Sequence, residues 1–336
     1  MVVNALPVNT PELYILGMGH FHPENLIDNG FLESLDIGTN DEWITERTGI
    51  KTRRTVLNLD YIRETKNQDP MKSHEASLWT NGQTGAFAAQ MAMTRAGITK
   101  DQIGLVIAGG CSPQHTIPAE ACMVAAELGI EATCFDLGSA CSSFAAQMNF
   151  LNNSKPETLP EYILIINAEN TTRTVDYSDR SNAVLWGDGT AAAVVSTKKK
   201  GKLGVLGATL QSDPSGWNKV AIPTGGHFFQ NGSAVQTFAI RKSGETLTKL
   251  QEFLTREDYW YVGHQANLLM LQSVCNRAGI TEQRHLYNVH TFGNCGAAGA
   301  PSVISQNWEK FKPEEEIALV VVGSGLTWGG LALKVY

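Results

Sequence analysis

Short apolar runs alternate along nearly the whole chain with stretches in which apolar residues recur every three or four positions. Residues 13–18, 104–108, 132–137 and 162–167 read as strands, since a strand buried on both faces needs no polar alternation. Between them, residues 73–96, 119–128 and 141–151 carry a helical period, the last placing Phe144, Ala145, Met148 and Leu151 on one face. The rhythm continues with a helix over 234–255, a strand over 258–262, a helix over 266–278 and strands over 317–322 and 331–336. This alternation predicts an α/β fold whose parallel strands are covered by helices.

The two parts of the chain echo each other. Gly187-Asp188-Gly189 and Gly323-Ser324-Gly325 each set a glycine-rich turn before an apolar closing strand, which points to two similar units. No linker rich in Pro, Gly or Ser divides them. Lys198-Lys199-Lys200-Gly201-Lys202 interrupts two apolar runs and reads as a solvated hairpin turn. The expected boundary falls just after it, giving one half over 1–200 and another over 201–336.

With 336 residues, 43% hydrophobic and 18% charged, the chain has the make-up of a compact enzyme-sized protein. The net charge of −7, with no stripe of Lys and Arg among aromatics, argues against nucleic acid. Residues 1–12 lack a basic segment followed by an apolar one, and the longest apolar runs have strand length. The expectation is a cytoplasmic protein without a membrane span. Six cysteines are expected as reduced thiols. No metal is expected, since no C-x-x-C or H-E-x-x-H pattern occurs and His20 and His22 have no zinc-like spacing to other ligands.

Three turns carry residues capable of chemistry. In Phe135-Asp136-Leu137-Gly138-Ser139-Ala140-Cys141-Ser142-Ser143-Phe144 a strand passes through small residues into a helix, with Cys141 at or near the first turn. A helix N-terminus favours thiolate over thiol, although a buried structural cysteine is the commoner case. His264, in Val262-Gly263-His264-Gln265-Ala266-Asn267, sits where a strand gives way to a helix and could hold or move a proton there. Asn294, in Phe292-Gly293-Asn294-Cys295-Gly296, offers an amide donor on a third such turn; alone it would read as a turn or capping residue. A cysteine nucleophile with a distant His and Asn is a known catalytic combination. The spacing does not separate acyl transfer from proteolysis, but the Cys-Gly-Ser/Ala-Cys-Trp/Tyr context of papain-like proteases is absent.

These residues resemble the β-ketoacyl-acyl-carrier-protein synthase III family of thiolase-fold condensing enzymes. The likeness spans almost the entire chain. It runs through Asp41-Glu42-Trp43-Ile44-Thr45-Glu46-Arg47-Thr48-Gly49-Ile50, the Cys141 segment, Trp186-Gly187-Asp188-Gly189, His264-Gln265-Ala266-Asn267, Gly293-Asn294 and Gly323-Ser324-Gly325-Leu326-Thr327-Trp328-Gly329. The resemblance implies a thiolase-like layered α-β-α-β-α fold with two pseudo-twofold-related halves and five-stranded mixed sheets, a homodimer, and a junction where Cys141, His264 and Asn294 meet. It implies decarboxylative Claisen condensation: Cys141 takes an acyl group, backbone N–H groups of Cys141 and Gly325 hold the oxyanion, and His264 and Asn294 hold a malonyl-type thioester. It also implies that Trp43 and Arg180 sandwich a coenzyme A adenine, with Arg47, Thr48 and Asn267 also on the substrate path. Ile117 is implied to cross the dimer and bound the partner's acyl pocket. The expected substrates are acyl-CoA with malonyl-CoA or malonyl-acyl carrier protein, and no cofactor.

The sequence also departs from the family. Leu269 stands where an arginine usually docks the acidic carrier protein, which predicts weaker docking unless residues such as Arg277 compensate. Leu326 replaces a common phenylalanine, and residues 58–71 look longer than in housekeeping members, reshaping the surface near the tunnel. These point to a specialised condensing enzyme of fatty-acid, polyketide or lipid biosynthesis. Two alternatives stay open: acyl transfer to an O, N or β-ketoacyl acceptor without decarboxylation, and a non-catalytic subunit of a heteromeric condensing complex. A biosynthetic thiolase would want a second cysteine near the C-terminus, which residues 323–330 lack.

Overall fold

The computed structural model describes residues 11–336. The reading of the N-terminus as free of a leader rests chiefly on residues 1–10, which lie outside the described residues. The main sheet has nine strands. In chain order they are β1 (Tyr14–Phe21), β2 (Ile103–Ala108), β3 (Thr133–Asp136), β4 (Tyr162–Glu169), β5 (Gly189–Ser196), β6 (Leu203–Ser212), β7 (Trp260–Gly263), β8 (Glu316–Gly323) and β9 (Thr327–Val335). Across the sheet they run β7-β8-β9-β6-β1-β5-β4-β2-β3.

Reading outward from the β1–β6 seam reveals the duplication. On one side, β1, β5 and β4 pair antiparallel, then β2 and β3 follow parallel to β4. On the other side, β6, β9 and β8 pair antiparallel and β7 lies parallel to β8. The fifth place of the second half is shorter than the resemblance implies: a single parallel bridge from Tyr261 to His285 stands there instead of a full strand. The two glycine-rich turns of the sequence echo lead into β5 and β9, which hold equivalent places.

Helices complete five layers. α1 (Asn81–Ala96) and α2 (Glu120–Leu128) cover the first half-sheet, α4 (Gly232–Gln251) and α5 (Leu268–Ala278) cover the second, and α3 (Ser143–Asn152) and α6 (Gly299–Gln306) lie between them. α1 packs on β1 with almost no side chain between them: a Cβ on Gly17 would meet the Ala92 carbonyl at 2.2 Å, and one on Gly19 the Ala88 carbonyl at 1.9 Å. Glycine on the strand and alanine on the helix are what allow that approach.

Two local expectations change. The helix expected from residue 73 starts at Asn81, because Thr80 and Gln83 form a reciprocal capping box. The lysine-rich turn joins β5 to β6, which do not pair with each other but flank β1 on its two edges, so it is a crossover rather than a hairpin. Nor is it merely solvated: Lys198 and Lys202 donate to the carbonyls of Leu159 and Trp308, both at 2.5 Å.

Candidate active site

The turns that leave the carboxyl ends of β2, β3, β4, β7 and β8 all face the middle of the molecule, where open α/β sheets collect ligands. The turn after β3 is held by small polar residues. Ser139 N donates to Ser143 Oγ at 2.8 Å, Ser142 N to the Ser139 carbonyl at 3.0 Å, and Ser143 Oγ to the Ala140 carbonyl at 2.6 Å. Ala140 takes φ +45°, the left-handed region. Cys141 therefore lies one residue before the N-cap Ser142 of α3, with 8% of its surface exposed.

Its thiol is held well below the usual range, first by a hydrogen bond from Cys111, whose Sγ lies 3.4 Å away, and next by His264; burial opposes both. The sequence reading named only the helix N-terminus; a backbone N–H at that turn contributes as well, after the Cys111 and His264 side chains. Cys111 moves the opposite way: its thiol is raised, because it donates to Cys141 and is itself buried.

His264 follows β7 and is nine-tenths buried. The next residue fixes the turn: Gln265 Nε2 donates to the Gly263 carbonyl at 2.7 Å, and its Oε1 accepts from Asn288 N at 3.0 Å and Val289 N at 3.2 Å. Among the described residues Nδ1 of His264 has no hydrogen-bond partner. A buried ring nitrogen in that state is one that a bound group can satisfy. Asn294 is tied at both ends of its backbone, to Leu185 and Gly187, and its Oδ1 accepts from Gly296 N at 3.0 Å. Committing the oxygen leaves the amide NH2 as the end available to a ligand.

One cavity of about 300 Å³ is lined by Cys141, His264 and Asn294 together. Of the residues expected to bind substrate, Trp43, Arg47, Thr48 and Asn267 line it too. Asn267 has a second duty, because its Oδ1 caps α5 by accepting from Met270 N at 2.8 Å. Arg180 is not on the wall but stacks on Trp43, with its guanidinium 4.8 Å from the ring centre, and Arg47 lies 4.6 Å from the same ring. Gly323, Ser324 and Leu326 line the cavity, whereas Gly325, between them, does not. The turn nevertheless presses on the cysteine's backbone: a Cβ on Gly323 would meet Ser142 N at 2.9 Å and Cys141 N at 3.1 Å.

Ile117 stands apart from this cavity, 83% exposed. A second cavity of about 260 Å³ lies nearby, with Cys111, His115, Arg173 and Ile222 on its wall. Pro70 and Met71 reach it as well, so the long segment 58–71 borders this space rather than the cavity at Cys141. The segment is anchored by buried Asn67, whose Nδ2 donates to the carbonyls of Arg173 and Val175 at 2.8 and 2.9 Å.

Two residues here escaped the sequence reading. Cys111 follows β2, and Glu169 ends β4, fully buried, accepting from Cys111 N at 2.9 Å and Ala297 N at 2.8 Å. Their only sequence signal is position, at the carboxyl ends of apolar strands. Among the described residues no group of three or more His, Cys, Asp or Glu is placed to hold a metal ion, and no helix is long and apolar enough to cross a membrane.

Comparison with known proteins bears on the whole chain. Residues 135–214 match the family model for 3-oxoacyl-[acyl-carrier-protein] synthase III, and residues 251–335 the model for its C-terminal part. The β-ketoacyl-[acyl-carrier-protein] synthase III of Oceanobacillus iheyensis is 32% identical over 95% of this chain and 98% of its own. That of Syntrophomonas wolfei is 33% identical over 96% and 97%. Among solved structures, 3-oxoacyl-[acyl-carrier-protein] synthase III from Aquifex aeolicus superposes with a TM-score of 0.83 at 28% identity, covering 96% of this chain and 99% of that one.

Proposed function

Since the chain belongs to the 3-oxoacyl-[acyl-carrier-protein] synthase III family, we propose that it joins an acyl group carried on Cys141 to a malonyl-type thioester with loss of carbon dioxide. The observation that carries this is the convergence of three turns, one from the first half and two from the second, on one cavity where a thiol is already held toward its anion.

In the first half-reaction the Cys141 sulfur attacks the carbonyl of an acyl thioester, and the donor thiol leaves. The backbone N–H groups of Cys141 and Gly325 would hold the oxyanion, a role supported by the close seating of Gly323, two residues before Gly325, on the Cys141 backbone. The malonyl thioester then enters, and His264 and Asn294 donate to its carbonyl oxygen as carbon dioxide departs. The resulting carbanion attacks the acyl carbon on Cys141, and the sulfur leaves with its electron pair.

The mouth of the cavity suits a nucleotide-bearing donor. Trp43 with Arg180 offers an aromatic face and a guanidinium to an adenine, and because the two stack on each other, the base enters by displacing Arg180 from the ring. Arg47, Thr48 and Asn267 border the same path. Leu269 is 38% exposed at the start of α5, so the cation expected there for an acidic carrier is replaced by an apolar surface. We therefore favour a specialised member that draws on CoA thioesters or a dedicated carrier, acts in the cytoplasm and works as a homodimer, with Ile117 bounding the partner's acyl pocket. The stretches 1–200 and 201–336 are the two halves of this reading.

Intact-mass measurement after incubation with a panel of acyl-CoA donors tests the first step. One acyl adduct is expected on Cys141, none in Cys141→Ser, and loading is retained in Asn294→Ala. Carbon dioxide release from labelled malonyl-CoA should fall about 100-fold in Asn294→Ala. Acyl transfer without any carbon dioxide would end the condensation reading.

A further inference from the structure

The duplicated strand order assigns four corners to the site. Cys141 and Asn294 follow equivalent places in the two halves, the one after β3 and the other after the His285 bridge, and each precedes a central helix. His264 follows β7, and the equivalent of β7 in the first half is β2. The turn after β2 is Gly109-Gly110-Cys111. Ala108 pairs with Ile166 as Gly263 pairs with Val320, so Gly109 is the register match of His264 and Cys111 lies two residues farther along this fourth turn; condensation as derived above has no use for it.

Its chemistry is well matched to its neighbour. The two sulfurs lie 3.4 Å apart and both cysteines are free. A disulfide needs about 2.05 Å, so the sulfurs must close by little more than an ångström. Cys141 opens onto the larger cavity and Cys111 onto the smaller one, so the pair forms part of the wall between two spaces. A thiolate reached by a cavity, with a protonated thiol against it, is the arrangement in which a sulfenic acid is captured before further oxidation. The other cysteines do not compete at this spot, since none of them lines either cavity.

We propose that Cys111 is a resolving thiol for Cys141: a hydroperoxide oxidises the Cys141 sulfur, and the pair closes to a disulfide that blocks acyl loading until a thiol reductant reopens it. In the first step the Cys141 thiolate attacks the peroxide oxygen, the O–O bond breaks, and hydroxide or alkoxide leaves. This gives Cys141 sulfenic acid. The Cys111 sulfur then attacks the Cys141 sulfur; its proton and the sulfenic hydroxyl leave as water. The two thiols are oxidised by two electrons and the peroxide is reduced by two. A small thiol reverses the change by exchange. The disulfide requires only the sulfur geometry; its effect on turnover rests on the reading of Cys141 as the acyl carrier, which the adduct experiment on reduced protein tests separately.

The test uses hydrogen peroxide on the intact protein, followed by peptide mapping without reductant, and by acyl-CoA loading before and after dithiothreitol. The expected product is a Cys111–Cys141 linked peptide, two hydrogens lighter than the reduced pair. Loading should fall about tenfold and return with dithiothreitol. In Cys111→Ser the same treatment should drive Cys141 to sulfinic acid, two oxygens heavier, and loading should stay lost after reduction. Absence of the linked peptide in the natural protein overturns the proposal without any variant. Equal recovery by dithiothreitol in Cys111→Ser would also overturn it.

Discussion

Glu169 shows how one side chain couples the site to the medium. Burial pushes its carboxyl up to about 8, with the charge on the Cys141 sulfur adding to the effect, against an ordinary 4.5. The folded protein therefore keeps a proton that the unfolded chain has already lost. That stabilising difference is complete below about 4.5 and is lost as pH rises through about 8. Glu120, raised to about 7, and Asp188, raised to about 6, act in the same direction over lower windows. Glu169→Gln should make the melting temperature fall less than in the natural protein between about pH 6 and 8. Thermal denaturation across that range checks it, and parallel curves would show that Glu169 does not titrate there. Cys141, His264 and Asn294 were legible as a combination of residue types on three turns and through the motifs shared with the family, since Cys141 and Asn294 alone read as structural and His264 alone as ambiguous. Cys111 and Glu169 were not, since their importance arises from the parallel pairing of β2 with β4, which sets two strand ends side by side. A one-dimensional pattern carries no such neighbour relation.

At the scale of elements, α2 starts on a borrowed cap. Its own N-cap, Ala119, has no side chain to give, and the carboxylate of Asp136, from the end of β3, accepts from Glu120 N at 2.7 Å and Ala121 N at 3.0 Å. Asp136→Ala should cost about 1–2 kcal/mol of stability, whereas Asp136→Asn, which keeps one acceptor, should lose less. Chemical denaturation of both variants decides; equal stability would assign the capping to solvent. A cap lent by a distant strand leaves no trace in the local sequence. Local caps do: the Thr80–Gln83 box was present to be read, and marks the true start of α1 more sharply than the apolar period that suggested residue 73. The helix expected over 234–255 runs Gly232–Gln251, because periodicity fixes that a helix exists better than where it ends.

For the molecule as a whole, the seam between the half-sheets is narrow. Among the described residues β1 and β6 pair at Tyr14–Gly204 and Ile15–Leu203 alone, and the central helices α3 and α6 bridge the rest by packing. The outer edge strand β3 and exposed Ile117 lie on the first half, the face on which the proposed homodimer is expected to form. Light scattering should give twice the chain mass. Ile117→Ala should shift acyl-CoA preference toward bulkier chains while leaving malonyl decarboxylation within about twofold. A monomer with unchanged preference would contradict both. The layered α/β class and the internal echo were legible, because glycine turns and apolar closing strands repeat in sequence. The shortened fifth strand was not, because a lone bridge at His285 has no run of residues to announce it.

A duplicated scaffold that bears unlike groups at matching corners also offers a design handle. Turns at matching places of the two halves carry different side chains, so the strand frame alone does not dictate which chemistry stands there. Replacing Cys111 by histidine would bring a second imidazole to the turn that matches the one carrying His264, and would remove the thiol on which the proposed redox closure depends.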